Sequence, residues 1–328
     1  MKLDQLCHEM IEPVYPLIVT PDDEQETIRR MMPETVCLVS RGLTPIGPVI
    51  MDGSEDLLVI TRTGAGYENV DIDAATKRGI PVVYAPLLAD AVAEATFAMI
   101  LALNKRLFYW HKMLLDGQWE RRALERVNDL FDTTIGNVGM GRIGLAVAVR
   151  AKAFGMLVLG YDPYVKQLQV DDIGVRMTSF DELLANSDVI SLHAIVSDET
   201  THMINRDSIR KIKPGATLIN FARGALIESN DILYEALDEC RLGAVGLDVF
   251  PQEPPADLDH PLFHHPNFIG SPHVLASSRG AEERCVRSWT TDVLAVLRGE
   301  RPRWCINPQV FDAPNFRRAG SFGRHCVG

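Results

Sequence analysis

The sequence predicts an α/β chain organised around a doubly wound parallel sheet. Three features of its 328 residues point there. From Thr134 to Pro272, short apolar runs alternate with segments of helical period, as in strands joined by crossover helices. A G-x-G-x-x-G run, Gly139-Met140-Gly141-Arg142-Ile143-Gly144, lies between the first such strand and the first such helix. Eighteen residues beyond its last glycine, Asp162 closes the next apolar run.

Taken in order, VCLVS (36–40) and LLVITR (57–62) have the composition of strands in a smaller α/β unit, and the turn-rich GAGYENVD (64–71) follows them. The apolar pattern from Ala91 to Leu103 predicts a helix leading into a second unit. There Thr134 to Val138 is the first strand, with Asn137 out of place in a run that should be buried and apolar. Ile143, Ala146, Val147, Ala151 and Phe154 mark the apolar side of a helix, and Met156 to Tyr161 is the second strand. Alternation continues through helix 181–187, strand 189–194, helix 206–212, strand 216–222, helix 229–240, strand 243–250 and strand 267–272. A last helix over 279–297 carries the chain back. The expected organisation is a first lobe at 1–89, an inserted domain at 90–275, and completion of the first lobe by 276–328, whose end from Ala313 to Gly328 is expected to be loosely ordered.

A net charge of −11 gives no basic excess to displace counterions, which argues against sequence-independent nucleic-acid binding. No apolar run approaches the length of a membrane span. Six cysteines, at 7, 37, 240, 285, 305 and 326, show no metal-type spacing and no secretory leader precedes them, so reduced thiols in a cytoplasmic protein are expected, with no metal.

The glycine run has a physical reading as a dinucleotide-binding turn of Rossmann type. Gly139 permits the tight turn, Gly141 lets backbone approach a pyrophosphate, and Gly144 lets helix pack on strand, with Arg142 and Ile143 opening the helix beside the phosphates. Asp162 would accept bonds from the adenosine ribose hydroxyls and repel a 2′-phosphate, so NAD is expected over NADP. An ordinary glycine-rich turn beside a surface aspartate is the plainer alternative.

Ligands of open α/β sheets bind beyond the carboxyl ends of the strands. Arg223, Glu253 and His273 follow three successive strands there. Arginine grips a carboxylate and polarises the neighbouring C2 oxygen, histidine moves a proton near neutrality, and a carboxylate paired with it fixes the ring. Each alone is more ordinarily a surface or loop residue. Together they suit hydride chemistry on a hydroxy acid.

With these motifs assembled, the chain resembles the D-isomer-specific 2-hydroxyacid dehydrogenases. The resemblance runs from about Leu57 to Arg287 and rests on RTGAGYENVDIDAA, DAVAEAT, GQWER, GMGRIG, YDPY, FARGALIE, GLDVFPQEPP and SPHVLASS. It implies a Rossmann cofactor domain inserted in a smaller flavodoxin-like α/β substrate domain. It places the catalytic arginine, glutamate and histidine on Arg223, Glu253 and His273 and sets Asp248 near the nicotinamide carboxamide. It also implies that backbone amides around Gly64, Ala65 and Gly66 hold the substrate carboxylate, and that the protein is a homodimer. The expected substrate is a small D-2-hydroxy acid or the matching 2-keto acid. Arg62 and Arg41 lie near the carboxylate loop, where a phosphate contact and a structural pairing are equally open for Arg62.

Departures from the family pattern are Leu87 and Leu88 for small residues in a shortened loop, Asp132-Thr133 for Gly-Lys, Ile195 for proline, and Leu275 for a small residue. The first lobe also starts as though its opening strand were absent. A related fold serves as an NADH-sensing corepressor, so a sensing protein with little turnover is the alternative function.

Overall fold

The computed structural model describes residues 3–42 and 44–317. The chain divides into two compact units, Met1–Leu88 with Ser278–Gly328, and Ala89–Ser277. In the first unit, helices α1 (Leu3–Ile11) and α2 (Gln25–Met31) precede β1 (Cys37–Ser40); α3 (Pro48–Met51), β2 (Val59–Arg62), α4 (Ile72–Lys77) and β3 (Val82–Val83) follow. The strands form a parallel sheet in the order β1-β2-β3.

The second unit opens with α5 (Ala89–Asn104) and α6 (Leu107–Leu115). It continues through β4 (Thr134–Val138), α7 (Arg142–Ala153), β5 (Leu157–Tyr161), β6 (Val175–Met177), α8 (Phe180–Asn186), β7 (Val189–Leu192), α9 (Arg206–Lys211), β8 (Ala216–Asn220), α10 (Asn230–Asp238), β9 (Leu242–Leu247), α11 (Pro261–His264) and β10 (Phe268–Gly270). Then α12 (Arg279–Leu297) returns to the first unit.

All pairings of the seven-stranded sheet are parallel, in the order β10-β9-β8-β7-β4-β5-β6. The chain winds outward from β4 through β5 and β6, then resumes on the other side of β4 at β7. The crevice where winding reverses, between β4 and β7, is where such sheets bind ligands. A parallel sheet is covered on both faces, so its strands are continuous apolar runs. β7 and most of β4, β5, β8 and β9 are buried accordingly. In the first unit, successive residues of β2 serve two cores: Val59 packs with Val286, Trp289 and Val293 of α12, and Ile60 packs with Ile50, Met51 and Ile80.

Several strands are shorter than expected. β7 ends at Leu192, β8 at Asn220 and β9 at Leu247, although the apolar runs extend to Ala194, Ala222 and Phe250. Phe221, Ala222, Val249 and Phe250 are buried as loop residues. Hydrophobicity marks burial, and here burial outlasts the ladder.

The chain end is better held than expected as far as it is described. Asn315 Nδ2 donates to Lys77 O at 2.8 Å, Arg317 Nε donates to Arg78 O at 3.0 Å, and Phe316 packs on Phe311. The remainder of the expected loose tail, and Cys326 with it, lies outside the described residues. Among the described residues no helix is long and apolar enough to cross a membrane.

Candidate active site

At the end of β4 the chain turns into α7 through the glycine run. Gly139 adopts φ +93°, a conformation that favours glycine, and a Cβ there would lie 2.6 Å from His193 C and Ala194 N beyond β7. A Cβ on Gly144 would lie 2.0 Å from Gly139 O, so helix and turn touch backbone to backbone. Gly141 differs: nothing lies within 4 Å of the position its Cβ would take. It is the N-cap of α7 and its own side supplies no capping side chain. Open space before a helix N-terminus, with the first amides lacking partners inside the helix, is a fitting cradle for a pyrophosphate. Arg142 beside it is exposed and Ile143 half-buried.

Asp162 stands just past β5 with its carboxylate already oriented. Oδ2 accepts from Met140 N and Oδ1 from Tyr164 N, both at 2.9 Å. The misplaced Asn137 is explained by a carbonyl: its Nδ2 donates to Gly144 O at 3.0 Å, fastening β4 to the first turn of α7. His193, which follows β7, bonds Ser191 Oγ through Nε2 at 2.9 Å, while its Nδ1 is buried without a hydrogen-bond partner. Burial pulls this imidazole down to about 3.

Beyond β9 and β10, Glu253 and His273 are brought together. His273 Nδ1 and Glu253 Oε2 are 2.8 Å apart, and Glu253 Oε1 accepts from Phe250 N at 3.0 Å. A carboxylate can only accept, so Nδ1 carries the proton of that bond and Nε2 of the neutral ring is left as an acceptor. His273 itself sits at φ +51°, uncommon for a residue with a side chain. Asp248 holds it there: its Oδ1 accepts from Ser271 Oγ at 2.6 Å and from Val274 N at 3.1 Å, one bond on each side of the histidine.

Arg223 is half-buried and turned by Asn220, which is wholly buried at the end of β8. Asn220 Nδ2 donates to Arg223 O at 2.9 Å and its Oδ1 accepts from Ala222 N at 3.0 Å. Gly224 then packs so closely on the other loop that a Cβ would lie 1.9 Å from Phe250 C. That contact sets the arginine turn against the segment carrying Glu253. Sequence reasoning missed Asn220 and Gly224. A polar residue closing an apolar strand, as Asn137 also nearly does, is the signal available for the first.

In the first unit, Gly64, Ala65 and Gly66 form the loop after β2. Gly64 O accepts from Ala85 N at 3.0 Å, and Leu88 Cδ1 lies 3.8 Å from the Cβ position of Gly64. Arg62 is only 9% exposed, with its guanidinium directed at backbone carbonyls. Arg41 is exposed. Among the departures, Leu87 and Leu88 pack against the α12 core, whereas Ile195 and Leu275 are exposed. Asp132, where glycine is common, takes φ +60°, a region aspartate tolerates better than most residues.

The model of the D-isomer specific 2-hydroxyacid dehydrogenase NAD binding domain matches residues 97–274. A D-3-phosphoglycerate dehydrogenase of Methanocaldococcus jannaschii is 36% identical over 301 residues, covering 91% of this chain and 57% of that protein. A glyoxylate reductase of Korarchaeum cryptofilum is 34% identical over 296 residues, covering 88% of this chain and 89% of that protein. The chain belongs to the D-isomer-specific 2-hydroxyacid dehydrogenase family. In structure, it is similar to the D-lactate dehydrogenase of Aquifex aeolicus, solved with NAD and lactic acid, at TM-score 0.82 and 31% identity over 90% of this chain and 92% of that one. The chain spans little more than half the length of the phosphoglycerate dehydrogenases it matches, 57% and 55% for the archaeal pair. NAD is the cofactor of the second unit, in keeping with the open position at Gly141 and the carboxylate at Asp162.

Proposed function

We propose that the protein is an NAD-dependent dehydrogenase interconverting a small D-2-hydroxy acid and its 2-keto acid. The observation that carries this reading is the Glu253–His273 pair, closed at 2.8 Å and anchored at its far oxygen by Phe250 N. A nicotinamide held by the second unit would supply or take the hydride at C2. His273 Nε2 takes the C2 hydroxyl proton in oxidation and returns it in reduction, while Glu253 fixes the ring and favours its charged form as the proton arrives. Arg223 grips the substrate carboxylate and polarises the C2 oxygen. Gly139, Gly141, Arg142, Ile143 and Gly144 hold the pyrophosphate, Asp162 the adenosine ribose, and Asp248 supports the nicotinamide end through the histidine loop. Backbone amides of Gly64, Ala65 and Gly66 receive the carboxylate of the substrate.

We assign the active form as a homodimer in the cytoplasm. Helix α6 has no buried residue, and it exposes Leu107, Phe108, Leu114 and Leu115. Beside it a groove of about 550 Å³ is lined by Phe108, Phe250, Leu258, Phe263 and Phe268 among others. Apolar surface of this extent marks an interaction face.

The test is Arg223→Ala. Loss of keto-acid reduction by about a thousandfold with NADH binding retained supports catalysis. Wild-type protein that binds NADH and turns over no keto acid supports the sensing alternative instead.

A further inference from the structure

Arg62 closes β2 and lies buried beneath the loop proposed to receive the substrate carboxylate. Its Nε donates to Gly66 O at 2.8 Å. Its Nη1 lies 2.7 Å from Gly42 O, 2.9 Å from Ser40 Oγ and 3.1 Å from Ser40 O. One guanidinium therefore ties the chain after β1 to the chain after β2. Asn69 adds a second brace, its Nδ2 donating to Ser40 Oγ at 3.2 Å and to Thr44 O at 2.8 Å.

These bonds act on the direction of peptide groups. In a trans peptide the C=O and the following N–H point opposite ways. Arg62 pins the Gly66 carbonyl inward, so the Tyr67 N–H of the same peptide faces away from the guanidinium. Ala85 N–H pins the Gly64 carbonyl in the same manner and turns the Ala65 N–H. Amide donors held in fixed directions are what a carboxylate-receiving loop requires.

We propose that Arg62 is a positioning residue that holds the far end of the Gly64–Gly66 loop, and with it the direction of the Tyr67 N–H, in the shape that receives the substrate carboxylate, and that it is not a ligand of a second anionic group on the substrate. This rests on the dehydrogenase reading above. A planar fork directed at Gly66 on one edge and at Ser40 and Gly42 on the other is committed to geometry that lysine cannot reproduce.

The experiment compares wild type and Arg62→Lys on a matched pair, hydroxypyruvate and phosphohydroxypyruvate, which differ by the phosphate alone. KM, kcat and NADH affinity are measured for both, with the thermal midpoint as a folding control. Positioning predicts that kcat/KM falls for both acids by the same factor, about ten- to a hundredfold, chiefly through KM and with NADH affinity unchanged. Loss confined to phosphohydroxypyruvate would make Arg62 a phosphate ligand and overturn the proposal, and so would unchanged KM values in a folded variant. Should Arg62→Lys fail to fold, Ser40→Ala removes one side-chain acceptor of the same guanidinium and must lower both kcat/KM values in parallel, by roughly threefold to fivefold; unequal or absent effects overturn the proposal. Wild type inactive on both acids would overturn the dehydrogenase reading and this inference with it, a result distinct from the others.

Discussion

Replacing Gly224 by alanine places a methyl group 1.9 Å from Phe250 C, 2.0 Å from its oxygen and 2.3 Å from Pro251 N. All three atoms are backbone, so no side chain can rotate out of the way. Ordinary contact begins near 3.4 Å, and the two loops must therefore part by about 1.5 Å. Gly224 follows the arginine, and Phe250 N anchors the glutamate that holds His273, so this parting separates the proposed substrate clamp from the proposed proton carrier. Overpacking of this kind costs about 1–3 kcal/mol of stability. Displacement of a catalytic group by about 1 Å costs about a hundredfold in rate. Steady-state reduction of a keto acid by the Gly224→Ala variant should show kcat lowered by about that factor. The thermal midpoint should fall by several degrees, and NADH affinity, assigned to the glycine run after β4, should be retained. A folded variant with wild-type kcat would refute the claim that this backbone contact aligns the site.

Glu253→Gln should reduce kcat by about a hundredfold with NADH affinity unchanged, because the amide no longer stabilises the charge on His273 that arrives with the proton; pre-steady-state hydride transfer reads the chemical step directly. Asp162→Ala should narrow the preference for NADH over NADPH by about tenfold, read as the ratio of kcat/KM values, since the 2′-phosphate then meets no carboxylate. Acid stability should report His193. Its native pKa of about 3 lies below the ordinary value of 6.5, so between those values the unfolded chain binds more protons and stability is lost as pH falls through that window. Denaturant titrations near pH 5 and pH 7 should differ less in His193→Asn than in wild type, and an equal difference would remove His193 from the account.

The unit from Thr134 to Asp162 was legible because each of its parts obeys a local rule: a buried run, a glycine turn, a helical period, a second run. The residues proposed as catalytic were picked out by position, since a charged residue just past an apolar strand has a geometric meaning in a parallel sheet. What connects them was not. Asn220 acts through the carbonyl of Arg223, Asp248 through a hydroxyl and an amide either side of His273, and Gly224 through a carbonyl 26 residues away. Sequence pattern reports which side chains are buried but not which backbone atoms they meet. Arg62 is the sharpest case, because a phosphate ligand and a loop brace are the same residue until its acceptors are known. Short strands escaped for another reason. β3 has two residues and β6 three, too few for a period to register. Helix α6 misleads in the opposite sense, being mostly apolar, with only His111 and Lys112 charged or ionisable besides Tyr109, yet without one buried residue.

The central claim is that Arg223, Glu253 and His273 reduce a 2-keto acid with NADH, and the most direct measurement is NADH consumption by the purified full chain across glyoxylate, pyruvate, hydroxypyruvate, phosphohydroxypyruvate and 2-ketoglutarate, repeated with His273→Ala. The account predicts saturable turnover of at least one acid with NADH favoured over NADPH, lowered at least a hundredfold in the variant. Turnover that survives loss of His273, or wild-type protein that binds NADH and consumes none of it, would contradict the account.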